Sequence, residues 1–111
     1  MDIDTIRAFA KERIELHETG REECETYIED YWNRLSDYIA SDISGAIQFM
    51  TLASECTGEI FSDWSEVFDD VVRKSHSREF VEALPIAAER FAEASVRYNL
   101  KSVIEAAQAE L

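Results

Sequence analysis

Residues 42–55 read DISGAIQFMTLASE, and this stretch decides the fold that we expect. No charged side chain occurs between Asp42 and Glu55, and the apolar residues between them point in nearly every direction around a helix. A helix that is hydrophobic almost all round is buried on most of its surface. The stretch therefore predicts a third helix over about residues 43–56 at the buried centre of the domain. If it is central, truncating Leu52 to alanine costs about 2–5 kcal/mol of stability.

On both sides of this stretch, apolar residues recur at helical spacing. Toward the N-terminus they predict helices over about residues 4–17 and 21–40, and toward the C-terminus a helix over about residues 59–74. A fifth pattern begins near Arg78 and stays in phase across Pro85, so that the proline either bends one helix or separates two short ones. A last helix follows Asn99.

No segment alternates with a period of two, so the sequence predicts no sheet. The chain has 111 residues, of which 46% are hydrophobic, with three glycines and one proline. This is enough apolar material for one core without metal or disulfide support. We therefore expect a single all-α domain over residues 1–111, a compact bundle of five to six mostly antiparallel helices around the buried third helix.

The charge balance is strongly acidic. Twenty-four acidic against 11 basic residues give a formal net charge of −13. Such a chain repels nucleic acid and anionic membranes at long range and attracts basic proteins. The same composition, with three lysines against eight arginines, is equally typical of a protein from a saline host.

The first 20 residues show no secretory pattern, because charged side chains interrupt their apolar residues. No apolar run approaches the roughly 20 residues that span a bilayer. The sequence thus predicts a cytoplasmic protein in which Cys24 and Cys56 are buried free thiols rather than a disulfide.

Catalytic signatures are missing from the chain. It has no glycine-rich phosphate loop, no G-x-S-x-G and no H-E-x-x-H motif, and neither histidine follows a glutamate by three residues. His17 is interpreted as a partly buried structural residue near a helix end, where a positive charge is favourable. We expect no enzymatic activity, no cofactor and no metal site.

One candidate partner-binding feature is an acidic ladder on the predicted fourth helix. Its members are spaced 4, 3 and 4 residues apart, so they would share one face: Glu59, Asp63, Glu66 and Asp70. Like charges at this spacing cost a few tenths of a kcal/mol per pair. The ladder is either retained for a basic partner or is an ordinary solvated face.

A second candidate is an aromatic edge at the margin of the apolar stripe of the second helix. Tyrosines with charged neighbours are typical of binding hot spots, but also of the ordinary edge of a core. The edge consists of Tyr27, Tyr31 and Tyr38 with Glu23, Asp30 and Arg34 just outside it.

These features favour a stoichiometric binding protein that neutralises a basic protein partner. The biological form that best fits is an immunity protein or antitoxin against a bacterial toxin, such as a nuclease. One alternative is a DNA-mimic inhibitor, in which carboxylates replace phosphates. Another is an acidic helical module from a saline host that self-associates as a homodimer.

Overall fold

Eight α-helices and one short 3-10 turn make up the protein in a computed structural model, which describes all residues 1–111. There is no strand, and the predicted all-helical class is confirmed. In chain order the helices are α1 (Ile3–Glu18), α2 (Glu25–Ser41), α3 (Ile43–Leu52), α4 (Gly58–Ser65), α5 (Phe68–Ser75), α6 (Arg78–Arg90), α7 (Ala92–Arg97) and α8 (Leu100–Ala109), with the 3-10 turn at Arg21–Glu23.

The helix count exceeds the predicted five or six because two predicted helices are each divided. The segment over residues 59–74 breaks after Ser65, and α5 starts at Phe68. Thr57 caps α4 by accepting a hydrogen bond from the backbone N–H of Ile60 at 3.2 Å. No glycine or proline marks the break at Glu66 and Val67, so the residue pattern gives no signal for it.

Pro85 neither ends nor divides its helix, since α6 runs through it to Arg90. The division falls instead at Phe91, and Asn99 adopts a left-handed conformation (φ 53°) before α8. Arg90 donates hydrogen bonds from its guanidinium to the backbone carbonyls of Met50 (3.0 Å) and Ala53. These carbonyls lie at the end of α3, where the helix itself provides no donors.

The centre of the core differs from the prediction. Helix α5 lies between α2 and α8, and Phe68, Val71 and Val72 are completely buried. Helix α3 buries one face through Ala46, Phe49 and Met50, whereas Leu52 is 78% exposed. The expected cost of truncating Leu52 is therefore wrong, because an exposed side chain loses little on truncation. Small and polar residues, including Ser44, Gly45, Gln48 and Thr51, account for much of the remaining surface of α3.

None of the eight helices combines the length and apolar character that a membrane-spanning segment needs.

Candidate functional site

Two tyrosines of the aromatic edge join α2 to α1. Tyr31 is 1% exposed, and its hydroxyl donates a hydrogen bond to the carbonyl oxygen of Phe9 at 2.9 Å. Burial raises the pKa of Tyr31 well above its usual range. Tyr38 is half-buried, and its hydroxyl accepts a hydrogen bond from the backbone N–H of Asp2 at 3.0 Å. Both rings are therefore committed to the packing of the N-terminal helix.

Tyr27 is the one tyrosine of the edge with a largely free ring. It is 49% exposed, and the guanidinium carbon of Arg21 lies 5.1 Å from the centre of its ring. Arg34 donates hydrogen bonds to Asp30 at 2.8 Å and to Glu12 at 3.1 Å, so these charges neutralise one another. Glu23 lies exposed in the 3-10 turn. Within the edge, Tyr31 and Tyr38 are thus used in packing, and Asp30 and Arg34 are paired inside the chain. Tyr27 and Glu23 are exposed.

The acidic ladder does not lie on one helix. Glu59 and Asp63 belong to α4 and Glu66 caps its C-terminal end, whereas Asp70 lies on α5 beyond the break. Asp70 forms an ion pair with Arg73, whose Nε also donates to Glu110 at 3.3 Å. The chain therefore neutralises Asp70 itself and separates it from the other three carboxylates.

Those three carboxylates, Glu59, Asp63 and Glu66, line a cleft of about 270 Å³. None of them forms an ion pair within 4.0 Å. The remaining walls bring together distant parts of the chain: Arg13 from α1, Trp32 from α2, Ser62 from α4, and Tyr98 after α7. We call this site the acidic cleft.

Asp63 is the most perturbed carboxyl group of the acidic cleft. Burial raises its pKa to about 6, and the negative charges of Glu66 and Glu59 add to the rise, while Arg13 opposes it. Its side chain accepts no hydrogen bond from the protein. An incompletely solvated carboxylate without a partner favours the approach of a cation.

Arg13 is held at the side of the cleft rather than across it. Its Nη1 donates to Glu22 at 2.9 Å, and its guanidinium carbon lies 5.5 Å from the centre of the Trp32 ring. Its Nε is buried without a hydrogen-bond partner. Glu22 also pairs with Nδ1 of His17 at 2.6 Å, and the hydrogen bonds from Arg13 and His17 lower the pKa of Glu22. The internal cation is thus directed toward Glu22.

His17 occupies a different environment from the one expected. Its side chain is 72% exposed, and its ring is held only by Glu22. Cys24 is exposed at the start of α2, in contrast to the predicted buried thiol, and Cys56 is buried. Burial raises the pKa of the Cys56 thiol to about 12, and the two cysteines are not bonded to each other. No group of three or more His, Cys, Asp or Glu side chains is arranged to hold a metal ion.

Four residues of the acidic cleft escape the sequence reasoning, namely Arg13, Trp32, Ser62 and Tyr98. Arg13, Trp32 and Tyr98 come from three other parts of the chain, which helical spacing does not relate to α4. Ser62 differs, because it lies three residues after Glu59 and four before Glu66, on the same face of α4. For Trp32 the available signal is its place beside Tyr31 at the margin of the α2 stripe, since such aromatic rings often have one edge in solvent. Nothing in the spacing indicates that Arg13 of α1 lines the same cleft as the carboxylates of α4.

What the acidic cleft can do follows from its composition. Its unpaired carboxylates can accept hydrogen bonds from an ammonium or guanidinium group, and its aromatic rings can stack against the flat face of a guanidinium. Ser62 supplies a hydroxyl that can either donate or accept.

Comparison of the chain with protein-family models, with curated proteins and with solved structures finds no match.

Proposed function

We propose that this chain is a non-enzymatic binding protein that neutralises a basic protein partner by taking an arginine or lysine side chain of that partner into the acidic cleft. The single observation that carries the proposal is that three unpaired carboxylates, Glu59, Asp63 and Glu66, line one concave site together with Trp32 and Tyr98. An arginine suits this site best, because its planar guanidinium can stack on a ring while its N–H groups donate to carboxylates.

The raised pKa of Asp63 couples this binding to protons. An incoming cation favours the ionised carboxylate, so it lowers the pKa of Asp63 from about 6. Near pH 6 about half of the Asp63 carboxyl groups are protonated, so binding releases up to about half a proton per site. At pH 8 the carboxylate is already ionised, and binding of the same cation releases none from it.

The surface around the cleft assists the approach of a basic partner. The formal net charge of −13 raises the rate at which oppositely charged proteins meet, and salt screens this attraction. Aromatic contacts with Trp32 and Tyr98 are less sensitive to salt. We expect the association rate to fall with ionic strength while the dissociation rate changes little.

The biological role that best fits is that of an immunity protein or antitoxin, whose partner is a basic toxin such as a nuclease. A concave site with a few aromatic and acidic groups supports one cognate partner. A DNA-mimic inhibitor instead needs carboxylates spaced along an extended surface, and it binds many DNA-binding proteins. Selectivity for one basic protein over a panel of unrelated DNA-binding proteins distinguishes the two roles.

The cleft itself can be tested with a short oligo-arginine peptide. Trp32 lines the cleft and Trp64 is buried, so tryptophan fluorescence reports binding there. We expect the double variant Glu59→Gln/Glu66→Gln to weaken peptide binding by about tenfold or more. The matched control Glu79→Gln/Glu82→Gln removes the same charge from exposed positions of α6 and should weaken it by about twofold at most. Equal losses in both variants would show that binding depends on the overall negative charge and not on the cleft.

The biological role is tested by co-expression with the products of the genes that flank the gene for this chain, choosing any that are basic and toxic to cells. The wild type should restore growth of cells that produce a toxic neighbour, and Glu59→Gln/Glu66→Gln should restore it poorly. The α6 control variant should protect as the wild type does. Protection by both double variants alike would contradict a role for the cleft.

A further inference from the structure

A second concave surface differs from the acidic cleft in that it is mainly apolar. The groove between α6, α7 and α8 has a volume of about 700 Å³, compared with about 270 Å³ for the acidic cleft. Its apolar lining includes Pro85, Ala88 and Ile104. Val96 stands at its margin and is 83% exposed, more than any other large apolar side chain of the chain. We call this surface the α6–α8 groove.

The rim of the α6–α8 groove carries charges of both signs. Lys101 and Glu105 lie one turn apart on α8, and Glu89 lies across the groove on α6. None of the three forms an ion pair within the chain. A lysine that precedes a glutamate by four residues is the less favourable order for pairing within one helix. The rim therefore leaves one positive and two negative groups available to an external surface.

We infer that the α6–α8 groove is a self-association surface, on which a second copy of this chain docks about a two-fold axis. A two-fold interface brings the same patch together from both copies, so it needs a patch that is complementary to itself. The α6–α8 groove meets this requirement, because its lysine can face the glutamates of the second copy while the apolar lining is covered from both sides.

The pairing can be described at the level of side chains. With the two α8 helices antiparallel, Lys101 of each copy meets Glu105 of the other, since the two residues share one face of α8. Val96 of each copy then enters the apolar groove of the other. The interface forms two equivalent ion pairs around an apolar centre, which is the usual organisation of a protein interface.

A basic amphipathic helix from a different protein is the competing occupant. A basic helix leaves Lys101 without a partner, whereas a second copy pairs it with Glu105. A net charge of −13 on each chain also makes most orientations of two copies repulsive. The two Lys101–Glu105 pairs of the two-fold arrangement offset part of that repulsion.

Self-association on this surface has a salt dependence opposite to that of the proposed partner binding. Added salt screens the repulsion between two acidic chains and strengthens apolar association, whereas it weakens attraction to a basic protein. The inference stands apart from the proposed function, and either can fail while the other holds.

Sedimentation velocity over a concentration series at low and high salt tests the inference. The weight-average mass of the wild type should rise with concentration from 12.7 kDa toward twice that value. The association constant of the dimer should be about tenfold or more larger at high salt than at low salt. Val96→Glu should abolish the rise, because it places a further negative charge in the groove without touching the core. A monomer under all these conditions would overturn the inference.

Charge exchange then identifies the surface. Lys101→Glu alone and Glu105→Lys alone each create two repulsive pairs and should weaken dimerisation by about tenfold or more, and the double variant should restore it. Lys11→Glu changes the net charge as Lys101→Glu does, at an exposed position on α1, and should have a much smaller effect. Dimerisation that is insensitive to Val96→Glu and Lys101→Glu would place the interface elsewhere, which overturns the assignment. Binding of a basic amphipathic peptide to the monomer, if Val96→Glu abolishes it, would show that the groove is the docking site of a different protein. That result also overturns the assignment.

Discussion

Helix α3 carries no charged side chain and helix α5 carries four, yet α5 is the more deeply buried of the two. In α5 the apolar residues Phe68, Val71 and Val72 are spaced three and one apart, so they form one continuous face, and all three are fully buried. In α3 the apolar residues are distributed around the helix, and Leu52 remains 78% exposed. Separation of apolar from polar residues on a helix thus determines depth in this fold more than mean hydropathy does.

The charges of α5 are compatible with this burial because they lie at its outer face and have partners. Lys74 reaches across to α2, where its Nζ donates hydrogen bonds to Ser36 at 2.6 Å and to Asp37 at 2.8 Å. Arg73 pairs with Asp70. Asp63, on the preceding helix, has no such partner, and its carboxylate lies in the acidic cleft. The charged residues of α5 therefore have partners within the chain, whereas Asp63 of the candidate site has none.

The largest expected effect comes from the buried face of α5. Phe68→Ala should lower the free energy of unfolding by about 3–5 kcal/mol, because the Phe68 ring is fully buried between those of Phe61 and Phe80. Urea denaturation followed by circular dichroism measures it. A loss below about 1 kcal/mol would contradict the central position of α5.

Asp63→Asn should stabilise the protein by roughly 1–2 kcal/mol at pH 8, a value reduced for its partial exposure to water. Burial raises the pKa of Asp63 in the folded state to about 6 from an ordinary value of 3.8, so the folded state holds this proton more tightly than the unfolded state does. Stability from this group is greatest below pH 3.8 and decreases as the pH rises to about 6, above which the penalty is constant. The asparagine removes that penalty.

Denaturation at pH 8 and at pH 3.5 checks the effect of Asp63→Asn, since the gain should nearly vanish where the aspartate is mostly protonated in both states. Glu79→Gln, at an exposed position of α6, is the control and should show no such difference. An equal gain at both pH values would contradict the burial of an unpaired carboxylate.

Lys74→Met should cost about 1 kcal/mol, because it removes hydrogen bonds from an ammonium group to the buried Ser36 and to its neighbours on α2. Arg73→Met removes a charge from the adjacent position, where the ion pairs are exposed, and should cost less than about 0.5 kcal/mol. Thermal denaturation of the two variants side by side makes the measurement. Equal losses would show that partnership with α2 contributes nothing beyond a surface ion pair.

The smallest effect is expected on the outer face of α3. Leu52→Ala should change the free energy of unfolding by less than about 0.5 kcal/mol, since the side chain is 78% exposed. Met50→Ala, two residues earlier and fully buried, should cost about 2–5 kcal/mol. A large loss for Leu52 would mean that α3 is covered on both sides and that the comparison with α5 is wrong.

Most of the helical segments can be read from apolar spacing, whereas their divisions cannot. Gly20 and Asn99 both adopt a left-handed backbone, which these residue types favour, and both lie between helices that the apolar spacing predicts. The break after Ser65 has no such residue, and Pro85, which suggests a break, lies inside a continuous helix. Local preference therefore marks the ends that depend on backbone conformation and misses those that packing imposes.

The candidate site divides in the same way. The sequence singles out Glu59, Asp63 and Glu66 as acidic residues with no basic neighbour on their own segment. It also groups Asp70 with them, because a single straight helix would align all four. The structure ends α4 before Asp70 and supplies Arg73 as its partner. Tyr31 and Trp32 both lie at the margin of the apolar stripe of α2. The hydroxyl of Tyr31 is hydrogen-bonded to Phe9, whereas Trp32 lines the acidic cleft.

The sequence by itself determined the all-helical class, the excess negative charge and the apolar faces, since each depends on residue identity and on the 3.6-residue period of a helix. Only the tertiary structure decided which helix is central, which carboxylates keep no partner, and which aromatic rings meet them. Those outcomes depend on how separate helices pack together. Arg13, Trp32 and Tyr98 lie far apart along the chain, and no local pattern encodes the distance between them.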